Sequence, residues 1–251
     1  MPQLQRRARA LWVLPTSTED SVIDSIVMGF GFRARSGKDS AVAEIIKQRG
    51  LLSYSPERYD IRRYAFADAL KREVNDAAIA AGGMLNLLTL QSKRFVLCDG
   101  YYMDFPDWVQ YDPEAPMDDP LCPYGKNRTL LQWWGAEYRR AQDPDYWVRQ
   151  LAKRIEEENP EYALITDMRF PNEMQFVKQH GETVRVDRAG LPPSTHTSET
   201  VLADTSDEDW SIILENNGTL EEFKEGAVVA FDELTTHFPY GYNDLYHRAP
   251  D

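Results

Sequence analysis

Residues 24–32, DSIVMGFGF, make a near-continuous apolar run. Residues 33–40, RARSGKDS, carry it into DSAVAEIIKQRG, which has helical spacing and a terminal Gly50. A run without polar alternation suits a strand buried on both faces. Strand, glycine-bearing turn and helix in that order are the setting of a phosphate-binding loop, whose pattern is G-x-x-x-x-G-K-[ST]. The turn ends as that pattern does, in Gly37-Lys38, but departs from it twice. Phe32 stands at the leading glycine position, so Gly31 is expected to supply the turn instead. Asp39 follows the lysine, and Ser40 comes one place late.

The chemistry expected of this stretch follows from the helix start. Its amides lack intrahelical partners and carry about half a positive charge, so they attract phosphate. Lys38 would add a point charge on the terminal phosphates. Asp39 would orient an acceptor phosphate, hold magnesium or act as a base, and Ser40 would offer a hydroxyl to Mg²⁺. A second apolar run, EYALITD, ends in Asp167, where a carboxylate would hold Mg²⁺. Arg169, two residues on, suits a bidentate contact with a transferring phosphoryl group.

The rest of the chain keeps the alternation. YDIRRYAF and TVRVDR read as strands, as does WSIILENNG. Helices are expected over ADALKREVNDAAIAAGG, RTLLQWWGAEYRRAQ, PDYWVRQLAKRIEEEN, RFPNEMQFVKQHG and TLEEFKEGAVVAFDELTTHF. Alternation at this spacing favours a mainly parallel central sheet with helices on both faces. Residues 84–127 interrupt it with a stretch rich in Pro, Asp and aromatics, read as an ordered insertion. Residues 23–238 then form the main domain, with a helical substrate-binding region at 128–160 and a tail at 239–251. Taken singly, Trp133, Trp134 and Trp147 are core candidates. Arg139 and Arg140 are expected to face solvent, and Asp68 with Lys71 reads equally as an acceptor-side pair or a surface ion pair.

Composition limits the partners. Lys and Arg number 28 against 41 Asp and Glu, a net charge of −13. Such a chain is repelled on average by a phosphodiester backbone, so direct nucleic-acid binding is not expected. A local basic pocket for one small phosphorylated molecule stays allowed. Cys98 and Cys122 form no C-x-x-C pair, and only 4 His are present, which argues against a zinc site and for reduced thiols. The basic, briefly apolar stretch MPQLQRRARALWVLPTSTED is too short in its apolar part for a secretion signal, and residues 1–22 read as a partly disordered arm. No apolar run approaches the ~18 residues of a membrane span, and the expected compartment is the cytoplasm.

SGKDS and ITDMRFPNE together resemble the bacteriophage deoxynucleoside monophosphate kinases. The resemblance continues through RTLLQWWGAE, AQDPDYWV, VRVDR, HTSE and ILENNGTLEEF, and covers most of residues 25–235. It implies a P-loop kinase-like three-layer α/β/α fold, with ATP as phosphoryl donor, Mg²⁺ as cofactor and a deoxynucleoside monophosphate (dNMP) as acceptor. Mapped by motif, the phosphate loop is Arg33, Ala34, Arg35, Ser36, Gly37, Lys38, Asp39 and Ser40, with Arg188 in an arginine-bearing segment closing over ATP. The catalytic set is Lys38, Asp39, Asp167, Arg169 and Arg128; the dNMP set adds Gln132, Gly135, Trp147 and Glu173; Ser40 and Asp167 face the metal. Two departures stand out. Phe32 replaces a family glycine, and Ala136 replaces the small hydroxyl residue that often follows the substrate-helix glycine. His196 is left outside the catalytic set. The alternatives are a kinase of hydroxymethylated pyrimidines, in free nucleotide or DNA, and a non-catalytic nucleotide-binding module. A phosphomevalonate-type kinase fits DMRFPNE and LLQWWGAE poorly. Partners are small nucleotides; oligomeric state is open, a homodimer included.

Overall fold

The computed structural model describes residues 5–6, 23–54, 58–89, 94–96, 102–191, 201–202 and 204–236. Most of the N-terminal arm, the tail at 239–251, Cys98 and His196 lie outside the described residues. The chain divides into two compact units: Met1–Tyr64 with Ile155–Asp251, and Ala65–Arg154.

The first unit is built on a sheet. Its strands are β1 (Gln5–Arg6), β2 (Ile26–Gly31), β3 (Ile61–Tyr64), β6 (Tyr162–Met168), β7 (Gly181–Asp187) and β8 (Ile212–Glu215), in the order β1-β8-β7-β2-β6-β3. Five are mutually parallel, and only β1 runs antiparallel, against β8. This is the architecture of a P-loop kinase-like fold. The apolar runs at 26–31 and 162–168 become neighbouring interior strands, β2 and β6, because each is covered on both faces.

Helices α1 (Lys38–Arg49) and α7 (Leu220–Thr235) cover one face. Met28, Phe30, Leu164, Val184 and Leu214 meet Val42, Ile45, Phe223 and Phe231 there in one buried cluster. Arg49 and Asp232 join the ends of the two helices at 2.6 Å. On the other face, α6 (Pro171–His180) comes close enough to β2 that a Cβ on Gly29 would lie 2.7 Å from Val177. The glycine inside that strand therefore permits close packing.

The second unit holds α2 (Ala67–Ala80), α3 (Met84–Thr89), a hairpin of β4 (Arg94–Val96) with β5 (Tyr102–Asp104), and α4 (Arg128–Gln132). The helix expected over 128–142 changes type: Trp133–Arg140 is a π-helix. After it comes α5 (Tyr146–Glu158), most of which belongs to this unit. Trp133, Trp134 and Trp147 are buried with Val74, Leu87, Phe105 and Leu130. Cys122 is a free, buried thiol whose pKa burial pushes up. No helix among the described residues is long and apolar enough to cross a membrane.

Candidate active site

The loop after β2 differs from the expected one at its first turn. Gly31 remains in the strand, paired with Met168 and Arg185. Phe32 makes the turn itself, with φ at 90°. A non-glycine residue there costs about 1–2 kcal/mol. Packing offsets that cost: the ring is buried, Trp210 meets it edge-on at 6.4 Å, and the Arg185 guanidinium lies 4.3 Å from its centroid. Arg33 approaches the same ring at 5.6 Å. Phe32→Ala should therefore destabilise by about 3 kcal/mol or more, since it loses the ring and keeps the strain. Phe32→Gly should retain about 1 kcal/mol more than Phe32→Ala, because only glycine relieves the strain. Urea titration of both variants checks this; alanine equal to or better than glycine would contradict it.

The next turns fix the loop. Arg35 and Gly37 also have positive φ, 59° and 112°. A Cβ at Gly37 would meet Asn216 Nδ2 at 2.7 Å and Phe223 at 2.9 Å, so conformation and space both require glycine. Asn216, at the end of β8, donates its side-chain amide to the Ser36 carbonyl at 2.7 Å. Arg188, beyond β7, donates to the Arg35 carbonyl at 3.4 Å. Helix α1 then starts at Lys38, and Gly37 has no side chain with which to cap its first amides. The Lys38 ammonium is buried inside the loop, donating to the Arg33 carbonyl and to Ser36 Oγ. The ammonium thus lies within the loop beside the uncapped start of α1, a combination suited to a phosphate. Ala34 is half-buried, while Arg33, Asp39 and Ser40 are exposed on the loop rim and first helical turn.

Asp167 reaches the same edge of the sheet. The register of β2 on β6 slips between Gly29↔Ile165 and Gly31↔Met168, a bulge beside the strand end. Bulges of this kind re-aim a side chain. Asp167 is the one position of β6 that is not fully buried. The turn after it is held by Glu173, whose buried carboxylate accepts the backbone N–H groups of Arg169 at 2.7 Å and Phe170 at 3.1 Å. Glu173 thus shapes the turn that presents Arg169, with Pro171 starting the helix behind it. Among the described residues no group of three or more His, Cys, Asp or Glu gathers as a metal site. Magnesium takes oxygen ligands, one or two of them from protein, and completes its shell with water and phosphate oxygens. Ser40 and Asp167 are adequate for such a role.

Arg128, Gln132, Gly135 and Trp147 belong to the second unit. Arg128 opens α4 and is exposed, as is Gln132 at its end. Asn127 caps that helix by accepting the Leu130 amide at 3.0 Å. Gly135 lies buried in the π-helix, and its carbonyl accepts the Trp147 indole N–H at 3.0 Å. Trp147 is therefore core, supporting the backbone around Gly135; Ala136 is exposed. π-helical turns occur often at functional sites.

Two expectations for this unit need correction. Arg139 does not face solvent: its Nε donates to Glu73 at 3.0 Å, and its guanidinium lies 4.8 Å from the Tyr146 ring and 5.1 Å from that of Tyr138. Burial opposes its charge, but the Glu73 carboxylate raises its pKa above the ordinary value. The longer turns of the π-helix accompany this inward placement. Asp68 and Lys71 are not a surface pair either. Asp68 is buried, with Arg154 at 3.3 Å and Lys71 at 3.9 Å, and Lys71 reaches Asp119 at 2.9 Å. Burial would raise the Asp119 pKa, yet Lys71 and the Leu121 amide hold it below the usual carboxylate value.

Sequence reasoning missed two loop neighbours, Asn216 and Arg63, and named Arg185 only together with Arg188, as residues flanking the end of the TVRVDR strand. Arg63, on β3, lies 3.8 Å from the Asp39 carboxylate. The adjacent pair Arg62-Arg63 in a short strand held the signal, since period two sends one guanidinium to each face.

No protein-family model matches the chain. A protein of Acanthamoeba polyphaga mimivirus named "Putative deoxynucleotide monophosphate kinase" is 36% identical over 92 residues, covering 36% of this chain. The match spans 45% of that relative's length.

Proposed function

We propose that the protein is a nucleotide kinase that moves the γ-phosphoryl group of ATP to a deoxynucleoside monophosphate. One observation carries the reading: the Gly37-Lys38 loop and the Asp167–Arg169 turn end neighbouring parallel strands. Ligands in open α/β sheets bind outside those carboxyl ends. The name of the mimivirus relative supports the nucleotide as substrate. In this reading the acceptor's phosphate oxygen attacks the γ-phosphorus, and the bond to the β–γ bridging oxygen breaks, leaving ADP and a diphosphate.

The acceptor phosphate is ionised at neutral pH, so positioning and charge neutralisation dominate. Lys38 and the loop amides would hold the donor phosphates, with Arg33, Arg35 and Arg188 on the rim. Arg169 would neutralise charge on the transferring group. Ser40 and Asp167 would hold magnesium, which would supply charge neutralisation at the donor phosphates. Arg128 would take the acceptor phosphate and Gln132 its base or sugar, with Gly135 and Trp147 shaping the helix that carries them. Such an enzyme would supply DNA precursors in the cytoplasm and bind only small nucleotides.

A steady-state assay with ATP, Mg²⁺ and each of the four common dNMPs tests this, with hydroxymethylated DNA as a parallel acceptor. Diphosphate from at least one monophosphate is expected. Phosphorylation of the DNA alone would replace the acceptor class, and tight ATP binding without any turnover would leave a non-catalytic binding module.

A further inference from the structure

We propose that Arg63 contacts the γ-phosphate of the donor and that Asp39 is its positioning residue, neither base nor metal ligand. The inference rests on the kinase reading for its chemistry, and on β3 and α1 for its geometry.

Side chains alternate along β3. Ile61 is buried in the cluster that β2 and β6 form with Ala41, Val42 and Ile45 of α1, so its face of the strand is the α1 face. Arg63, two residues toward the carboxyl end, shares that face, and its guanidinium meets Asp39 in the first turn of α1 at 3.8 Å. Arg62 turns the opposite way and pairs with Asp60 at 2.8 Å and Glu158 at 3.6 Å. One arginine therefore serves the strand edge, while the other stands beside the start of α1.

That place is unfavourable for a cation. A helix start carries partial positive charge, and Lys38 is already there. In a chain of net charge −13, Arg33, Arg35, Lys38 and Arg188 gather on the same loop or touch it. Asp39 sets a carboxylate beside Arg63, and it is 81% exposed while Arg63 is 42% exposed. Pairs this open contribute little to stability. The pairing thus draws Arg63 toward the start of α1, where its guanidinium can meet a phosphate oxygen through charge-assisted hydrogen bonds. Asp39 reduces the search that Arg63 must make, which is a positioning role.

Two measurements test the assignment on full-length protein. The first is calorimetric affinity for ATP and for ADP. Arg63→Ala should weaken ATP about tenfold, while ADP, which lacks the γ-phosphate, stays within about twofold. The second is turnover with a dNMP. Arg63→Ala should lower kcat about a hundredfold and Asp39→Ala about tenfold, and adding Asp39→Ala to Arg63→Ala should cause no further loss. Asp39→Asn should keep the acid limb of the wild-type pH profile at reduced height, because a base would take that limb with it. Both residues are exposed, so the melting temperature should move by no more than about 2 °C. Equal losses of ATP and ADP affinity, or independent effects of the two substitutions on kcat, would overturn the proposal. Wild-type protein that binds ATP but phosphorylates no dNMP would defeat the dNMP reading. The ATP-to-ADP difference would then still decide the role of Arg63.

Discussion

Lys38→Ala should abolish most turnover and leave the fold intact. The expected loss in kcat is at least about 10²–10³-fold, the scale seen when one preorganised electrostatic contact is removed from a reacting group. The side chain is buried, and two of the groups it donates to belong to the loop: the Arg33 carbonyl and Ser36 Oγ. Its removal leaves those two groups without the ammonium, and Arg33 is exposed, so water can replace it at the carbonyl. A stability cost near 1 kcal/mol follows, small beside the catalytic effect. Lys38→Met keeps the stem and removes the charge, which separates packing from electrostatics. Both variants should melt close to wild type and turn over at a small fraction of its rate. Near-normal kcat in either would remove Lys38 from the chemistry.

Glu73→Ala should be the most destabilising of the polar substitutions. Its carboxylate, on α2, gathers three donors: the Trp134 indole N–H at 2.9 Å, Arg139 Nε at 3.0 Å and the Tyr146 hydroxyl. All three come from the π-helix or the start of α5. Arg139 is only 18% exposed and Glu73 only 23%, so alanine leaves a largely buried guanidinium without its counter-charge. Breaking a buried pair from one side costs about 3–5 kcal/mol, and residual solvent access puts this case near 3. The urea transition followed by tryptophan fluorescence should shift accordingly, since Trp133, Trp134 and Trp147 lie in the same cluster. Adding Arg139→Ala should cost less than the sum of the two single substitutions, because the stranded charge is gone. A shift below about 0.5 kcal/mol would mean that the π-helix is held by its apolar contacts alone.

The elements legible in the sequence are those whose pattern reflects their surroundings directly. The apolar runs of β2 and β6 predict strands covered on both sides, and both are interior strands, paired with each other. Pro171 after Phe170, and Thr219 with Glu222, mark helix starts that the structure keeps; Thr219 Oγ accepts the Glu222 amide at 3.2 Å. What escaped depends on residues far apart in the chain. The π-helix differs from an α-helix by one residue per hydrogen bond, and WWGAEYRR carries no mark of it. Arg139 was expected in solvent because helical periodicity alone assigns faces, whereas Glu73, in a different helix, determines where it points. The turn at Phe32 was placed on Gly31 because glycine is the usual solution. Trp210 and Arg185, nearly two hundred residues on in the case of Trp210, make an aromatic residue tenable there. In the candidate site, Lys38, Asp167 and Arg169 were readable as motif positions. For Arg63 the sequence offers only its adjacency to Arg62, and its meaning arises when β3 lies beside α1.

The transfer itself is the most direct test. ATP labelled in the γ-phosphoryl group is incubated with the protein, Mg²⁺ and a deoxynucleoside monophosphate, and the products are separated. Label in the deoxynucleoside diphosphate, in step with ADP formation and lost in Lys38→Ala, is the expected result. ADP with label only in free phosphate, or no consumption of ATP with any of the four common monophosphates, would contradict it.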